Sequence, residues 1–233
     1  MKSYYLDLSR ISLREFFDTL TEDNLAPGRM ILLEEQEARF LTLAAAGITT
    51  LHGLVSAVKT IRAAQQLADK TGISREYLTI LRRQALSWLP KPVPLRRFAI
   101  STDLVDALAE IGINSGYDLY AVATALQGDT GSKVSRTTVE AIAHQASIPA
   151  LAEDLAQLVA MVDLSRIPGV GPVFAAVFFD CGIDSCSTLS KQDPDPLHER
   201  VVASAAIVGY RGPTVTRWDI ESCVQFAGRL TRG

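Results

Sequence analysis

Five basic residues, Arg82, Arg83, Lys91, Arg96 and Arg97, fall in a stretch that carries no acid between Glu76 and Asp103, and Trp88 and Phe98 stand among them. Cations that neutralise phosphate, mixed with aromatic faces on which bases stack, are what single-stranded nucleic acid needs, and an acidic protein partner could use the same mixture. The alternative is a solvated charged face above two core aromatics. Other chemistry is thinner. His52, His144 and His198 are scattered singly, and the three cysteines, Cys181, Cys186 and Cys223, offer one Cys-x4-Cys spacing with no second pair to match it. Neither a tetrahedral metal set nor a disulfide framework follows. No metal and no cofactor are therefore expected, and the cysteines read as small packing residues in a reducing compartment. Paired acids such as Glu34-Glu35 and Glu153-Asp154 are adjacent in sequence, and adjacent residues on a helix do not converge on one site. There is no Walker loop, no Gly-x-Ser-x-Gly elbow and no His-Glu-x-x-His helix, and Gly169-Val170-Gly171 lacks the third glycine of a dinucleotide fingerprint. No catalytic residue is assigned, and the chain reads as a non-enzyme.

The elements that must carry these residues are helices. Period-two alternation of Val, Ile and aromatic residues is nowhere sustained across the 233 residues, whereas helix start and stop signals recur. Ser12 with Glu15 makes a capping box, with Ile11 and Phe16 at the two positions of a hydrophobic staple, and predicts a helix from about residue 13 to 20. Thr216 with Asp219 predicts another start, feeding a final helix through Trp218, Val224, Phe226 and Leu230. The run Leu89-Pro90-Lys91-Pro92-Val93-Pro94 cannot continue a helix and is the best boundary. Asp193-Pro194-Asp195-Pro196 reads as a second breaker, and Gly128-Asp129-Thr130-Gly131-Ser132 as a loop. With 48% hydrophobic and 21% charged residues and a net charge of −3, the balance is that of an ordinary globular protein with no global field for nucleic acid or an anionic membrane. Apolar runs such as Val173–Phe179 fall far short of the roughly 18 residues of a membrane span, and MKSYYLDLSR has no signal-peptide core. The expectation is a cytoplasmic protein with no membrane contact.

One pattern occurs three times, in Leu43–Thr49, Leu108–Asn114 and Phe178–Asp184, with an apolar helix ending at Gly47, Gly112 or Gly182 and an Ile following. The glycines would adopt the left-handed conformation, the Ile would pack back on the last turn, and Thr49, Asn114 or Asp184 would cap the next helix. Leu54, Leu119 and Leu189 follow at similar offsets, and Thr71-Gly72-Ile73-Ser74 repeats the corner inside the first copy. The period argues for about three related helical units behind an N-terminal cap.

Upstream of the third corner runs Leu164-Ser165-Arg166-Ile167-Pro168-Gly169-Val170-Gly171-Pro172-Val173-Phe174-Ala175. An apolar residue, a Gly-apolar-Gly turn, a helix with small residues and a Gly-Ile exit resemble a helix-hairpin-helix motif. Together with Gly-Ile-Ser-Arg-Glu-Tyr-Leu at 72–78 and Leu-Pro-Lys-Pro-Val at 89–93, this ordering is similar to an uncharacterised bacterial family of tandem helix-hairpin-helix proteins, a domain of unknown function, over roughly residues 10–230. The resemblance implies an all-α fold of tandem helix-hairpin-helix-like units and no assigned activity. It also implies that Gly169, Val170 and Gly171 could bring backbone amides to a phosphate beside Arg166. The sequence departs from that pattern. Pro172 has no N–H, Val173 and Phe174 stand where polar or basic residues are usual, and Asp180, Asp184, Asp193, Asp195 and Glu199 follow against one base, Lys191. A hairpin kept for close helix packing is the favoured reading, and it requires Val170 and Phe174 to be buried.

The expected organisation is a helical cap at 1–30, helical units at 31–93 and 94–162, and a third unit at 163–233 that carries the hairpin. The expected function is an interaction or scaffold module for a protein partner. The alternative is a non-sequence-specific nucleic-acid-binding accessory protein that uses Gly169-Val170-Gly171, Arg166 and the Arg82–Arg97 segment.

Overall fold

Ser12 accepts a hydrogen bond from the Glu15 amide at 3.0 Å, and helix α1 starts at the next residue and runs Leu13–Glu22. Ile11 and Phe16, the two ends of the staple, are both buried. The computed structural model describes residues 3–22, 25, 27–128, 133–207 and 210–232. Among these the secondary structure is helical, with no named strand, and no helix is long and apolar enough to cross a membrane. Two compact units divide the chain, Asp7–Leu89 and Met1–Leu6 with Pro90–Gly233. One border falls in the proline run, where the backbone cannot continue a helix, and the other between Leu6 and Asp7. Residues 94–162 and 163–233 belong to the same unit.

In the first unit a 3-10 segment, Pro27–Leu33, leads into α2 (Gln36–Ala45), α3 (Leu51–Ala57), α4 (Ile61–Thr71) and α5 (Arg75–Leu86). The core gathers Phe16, Phe17, Leu32, Leu43, Tyr77 and Leu81, each at most 1% exposed. In the second unit a 3-10 turn, Leu95–Arg97, precedes α6 (Thr102–Glu110), α7 (Gly116–Gln127), α8 (Arg136–Gln145) and a further 3-10 turn, Pro149–Leu151. There follow α9 (Ala152–Leu164), α10 (Pro172–Asp180), α11 (Cys186–Leu189), α12 (Pro194–Ile207) and α13 (Arg217–Arg232). Helix α9 is the axis of this unit. It buries Leu155, Leu158, Val159, Ala160, Met161, Val162 and Leu164, apolar surface nearly all round, and packs on α7, α8 and α10.

The three Gly-Ile corners share their hydrogen bonds. The amides of Ile48, Ile113 and Ile183 reach back to the carbonyls of Leu43, Leu108 and Phe178 at 3.0, 2.9 and 3.0 Å, and Gly47, Gly112 and Gly182 take φ of +90°, +83° and +78°. This is the Schellman end of a helix, in which a left-handed residue lets the chain turn and satisfy carbonyls the helix leaves open. Ile48, Ile113 and Ile183 are buried, as are Leu54, Leu119 and Leu189. Gly72 differs. Its amide bonds Ala68 O at 2.8 Å in the simpler left-handed cap, with φ +74°.

The caps that follow are one residue later than the sequence suggested. Thr50, Ser115 and Ser185 accept from the amides of Gly53, Asp118 and Thr188, rather than Thr49, Asn114 and Asp184 doing so. The preceding residue is used through its carbonyl instead. Thr49 O accepts from Leu13 N while Ile11 O accepts from Leu51 N, and Asn114 O accepts from Leu95 N while Val93 O accepts from Gly116 N, two isolated bridges of the same register. A fourth corner has no glycine. Ser147 at φ +60° ends α8, with Ile148 N on Ala143 O at 2.8 Å. The expected breaker at Asp193–Pro196 is a helix start, Pro194 taking the first position of α12, where its missing N–H costs nothing. Gly128 closes α7 at φ +71°, and residues 129–132 of the expected loop lie outside the described residues.

Candidate functional site

The hairpin between α9 and α10 is a turn in which Val170 N donates to Ile167 O at 3.0 Å. Pro168 and Gly169, with Gly169 at φ +84°, occupy the two central positions that a type II turn prescribes for proline and glycine. Gly171 then caps α10 in extended backbone and Pro172 opens it. Val170 is 4% exposed, as the packing reading requires, and Ile167 1%, but Phe174, which that reading also requires to be buried, is only half-buried, its ring against Phe178 and Tyr210. The Val170 amide is thus consumed by the turn and Pro172 has none to give, which leaves less of the amide cradle on which phosphate recognition depends.

Arg166 is 6% exposed, and its guanidinium is committed within the unit. Nε donates to Tyr4 O at 2.9 Å, Nη2 to Ser3 O at 3.3 Å and Nη1 to Asp163 Oδ1 at 2.5 Å, and the cation lies over the Tyr120 ring, 4.3 Å from its centroid. Burial is the largest single influence and opposes its charge, but the Asp163 carboxylate and its hydrogen bond, with the Cys186 and Tyr120 side chains, together outweigh it and hold the pKa above the ordinary arginine value. Asp163 serves two partners. Its other oxygen accepts the Cys186 amide at 2.7 Å, the place in the third corner that a backbone carbonyl fills in the other two, and its own carbonyl accepts the Cys186 thiol at 3.1 Å. Tyr4 packs edge-on against Tyr5, Tyr117 and Tyr120. Burial pushes the Tyr120 phenol up to about 12. Asp163 was signalled only by its closeness in sequence to Arg166, which lies two residues past the end of α9; Tyr4 and Tyr120 carried no local signal.

The basic segment is divided between the two units. Arg82 and Arg83 end α5 of the first unit, while Lys91, Arg96 and Arg97 belong to the second. Arg82 is half-buried with its Nε lacking a hydrogen-bond partner; Arg83, Lys91 and Arg97 are exposed, and Arg96 pairs with Asp106 at 2.9 Å. Trp88 and Phe98 are 5% and 4% exposed, Trp88 lying edge-on to Phe16, so neither ring offers a face on which a base could stack. The cysteines are unbridged, Cys186 and Cys223 buried and Cys181 half-buried. Among the described residues no group of three or more His, Cys, Asp or Glu converges as a metal set would.

No curated protein and no solved structure matches the chain. A family model does match residues 99–230, which takes in the hairpin, the Asp163–Arg166 pair and two of the three corners. The match begins after the 72–78 and 89–93 segments that shared in the wider resemblance. It covers more than half of the 233 residues, and the chain belongs to the family described as Domain of unknown function (DUF4332).

Proposed function

We propose that the chain is a non-enzymatic interaction module of tandem helix-hairpin-helix-like units that binds a protein partner through apolar surface on its second unit. The observation that carries this is the character of the hairpin. Its arginine is buried and engaged, while the first turn of α10 leaves Val173 60% exposed. Phe174 meets Tyr210, which brings that end of α10 beside the end of α12, where Ile207 is 85% and Val202 46% exposed. Uncharged side chains on neighbouring helices suit an apolar anchor on a protein partner better than a phosphate backbone. The recurrence of one corner geometry at Gly47, Gly112 and Gly182 supports reading the units as copies of one motif.

The test has two arms. Titration with labelled single- and double-stranded DNA and RNA at low salt should give no saturable complex. Capture from extract of the source cells should retain a protein that both Val173→Asp and Ile207→Asp release, with each variant melting within a few degrees of the parent. A nucleic-acid complex whose affinity falls steeply with salt would replace this reading with the accessory-protein one.

A further inference from the structure

Helices α7, α8, α9, α11 and α13 of the second unit surround a cavity of about 260 Å³. Tyr120, Val139, Ala156, Val159, Ala160 and Leu230 supply apolar lining, and the room exists because Ala156 and Ala160, one turn apart on α9, are small. Charged side chains line it too, and they are matched in place. Lys133 pairs with Asp184 at 2.5 Å, Arg136 with Glu140 at 3.0 Å and Glu153 at 3.3 Å, and Arg166 with Asp163 at 2.5 Å. Of these pairs Arg166–Asp163 is the buried one, and a charged ligand at that end of the cavity would have to break it or enter without a counter-charge, either course being costly there, whereas the more exposed Lys133 and Arg136 pairs add little. Arg166 also retains donor capacity. A guanidinium has five N–H groups, and among the described residues its bonds go to Tyr4 O, Ser3 O and Asp163 Oδ1. An acceptor on a ligand is what such a buried cation can still serve without disturbing its partners.

We propose that this cavity binds a small, uncharged, largely apolar molecule carrying a carbonyl or amide acceptor. Its volume lies just below the roughly 300–1,000 Å³ of drug-sized sites, which sets the ligand at a single ring or a short branched chain. The proposal does not depend on the interaction reading, since none of Val173, Val202 and Ile207 lines the cavity.

Benzamide is the probe, with benzoate and benzylamine as charged analogues of the same shape, each titrated into the full ¹⁵N-labelled chain. Benzamide should give saturable amide shifts centred on Ala156, Ala160 and Leu230, and the charged analogues should bind roughly tenfold more weakly or worse. Ala156→Leu, which fills the cavity, should weaken benzamide by about tenfold or more while shifts elsewhere stay as in the parent. If that variant does not fold, Ala152→Leu at the start of α9 faces the same requirement. Shifts that do not saturate, shifts scattered away from the cavity, charged analogues binding as tightly as benzamide, or a folded filling variant with unchanged affinity would each overturn the proposal.

Discussion

Arg166 shows how one side chain can look like a ligand-binding group and serve as a fastener. Its guanidinium joins two distant pieces of backbone, Ser3-Tyr4 directly and Cys186 through Asp163. Removing it would leave Asp163, whose side chain is 17% exposed, without its cation and two carbonyls without their donors. Breaking a buried pair from one side typically costs about 3–5 kcal/mol. Arg166→Ala should accordingly lower unfolding free energy by about 3 kcal/mol in urea titration. Arg166→Lys should recover only part of it, because an ammonium cannot span the same fork of acceptors. A loss below about 1 kcal/mol would show that residues 3–6 are held by other contacts. The sequence around Arg166 disclosed a lone base beside a hairpin. What it could not disclose was the fate of that base, since two of its acceptors lie more than 160 positions away in the chain.

At the scale of the element, the helix corners divide into those a glycine makes easy and the one that manages without. Gly47, Gly112 and Gly182 were legible because a left-handed residue after an apolar helix, with Ile next, leaves few alternatives. Ser147 was hidden, since a non-glycine at φ +60° is held there by its surroundings and not by its own preference. Opposite responses follow. Gly182→Val should cost about 1 kcal/mol or more, because a β-branched residue fits poorly at positive φ. Ser147→Gly should stabilise by up to about 1 kcal/mol, the relief being offset by the freer unfolded chain. Thermal or urea unfolding of the pair checks both signs, and a stabilising Gly182→Val would remove the basis for the shared corner. The caps were misplaced by one residue for a related reason. Thr49-Thr50, Asn114-Ser115 and Asp184-Ser185 each offer two residues of capping type in a row. In the first two corners the choice is made by a distant amide, Leu13 N or Leu95 N, that claims the carbonyl of the first.

For the molecule as a whole, the all-helical class and the break at the proline run followed from local signals, while the central position of α9 depended on which helices surround it. Burying weak acids in this unit also makes its stability pH-dependent. Burial pushes the Cys223 thiol from 9.0 up to about 12 and the Tyr120 phenol from 10.0 up to about 12, and it raises Cys186 as well. Such groups hold their protons longer when folded than when unfolded, so the unfolded state is favoured as pH climbs. Stability should be undiminished by these groups below about pH 9 and should fall progressively towards pH 12, read as the urea midpoint. Cys223→Ala should flatten the first part of that decline, and an unchanged midpoint across the range would contradict the burial of these groups. The clasp on Ser3 and Tyr4 also has a bearing on how the chain is born. A ribosome adding roughly 5–20 residues per second makes residues 3 and 4 on the order of ten seconds or more before Arg166 exists to hold them. Tyr4, Tyr5 and Leu6 must therefore wait until more than 160 further residues have been made, an apolar stretch open to chaperones over that interval, whereas a denatured chain returning to its fold meets no such delay.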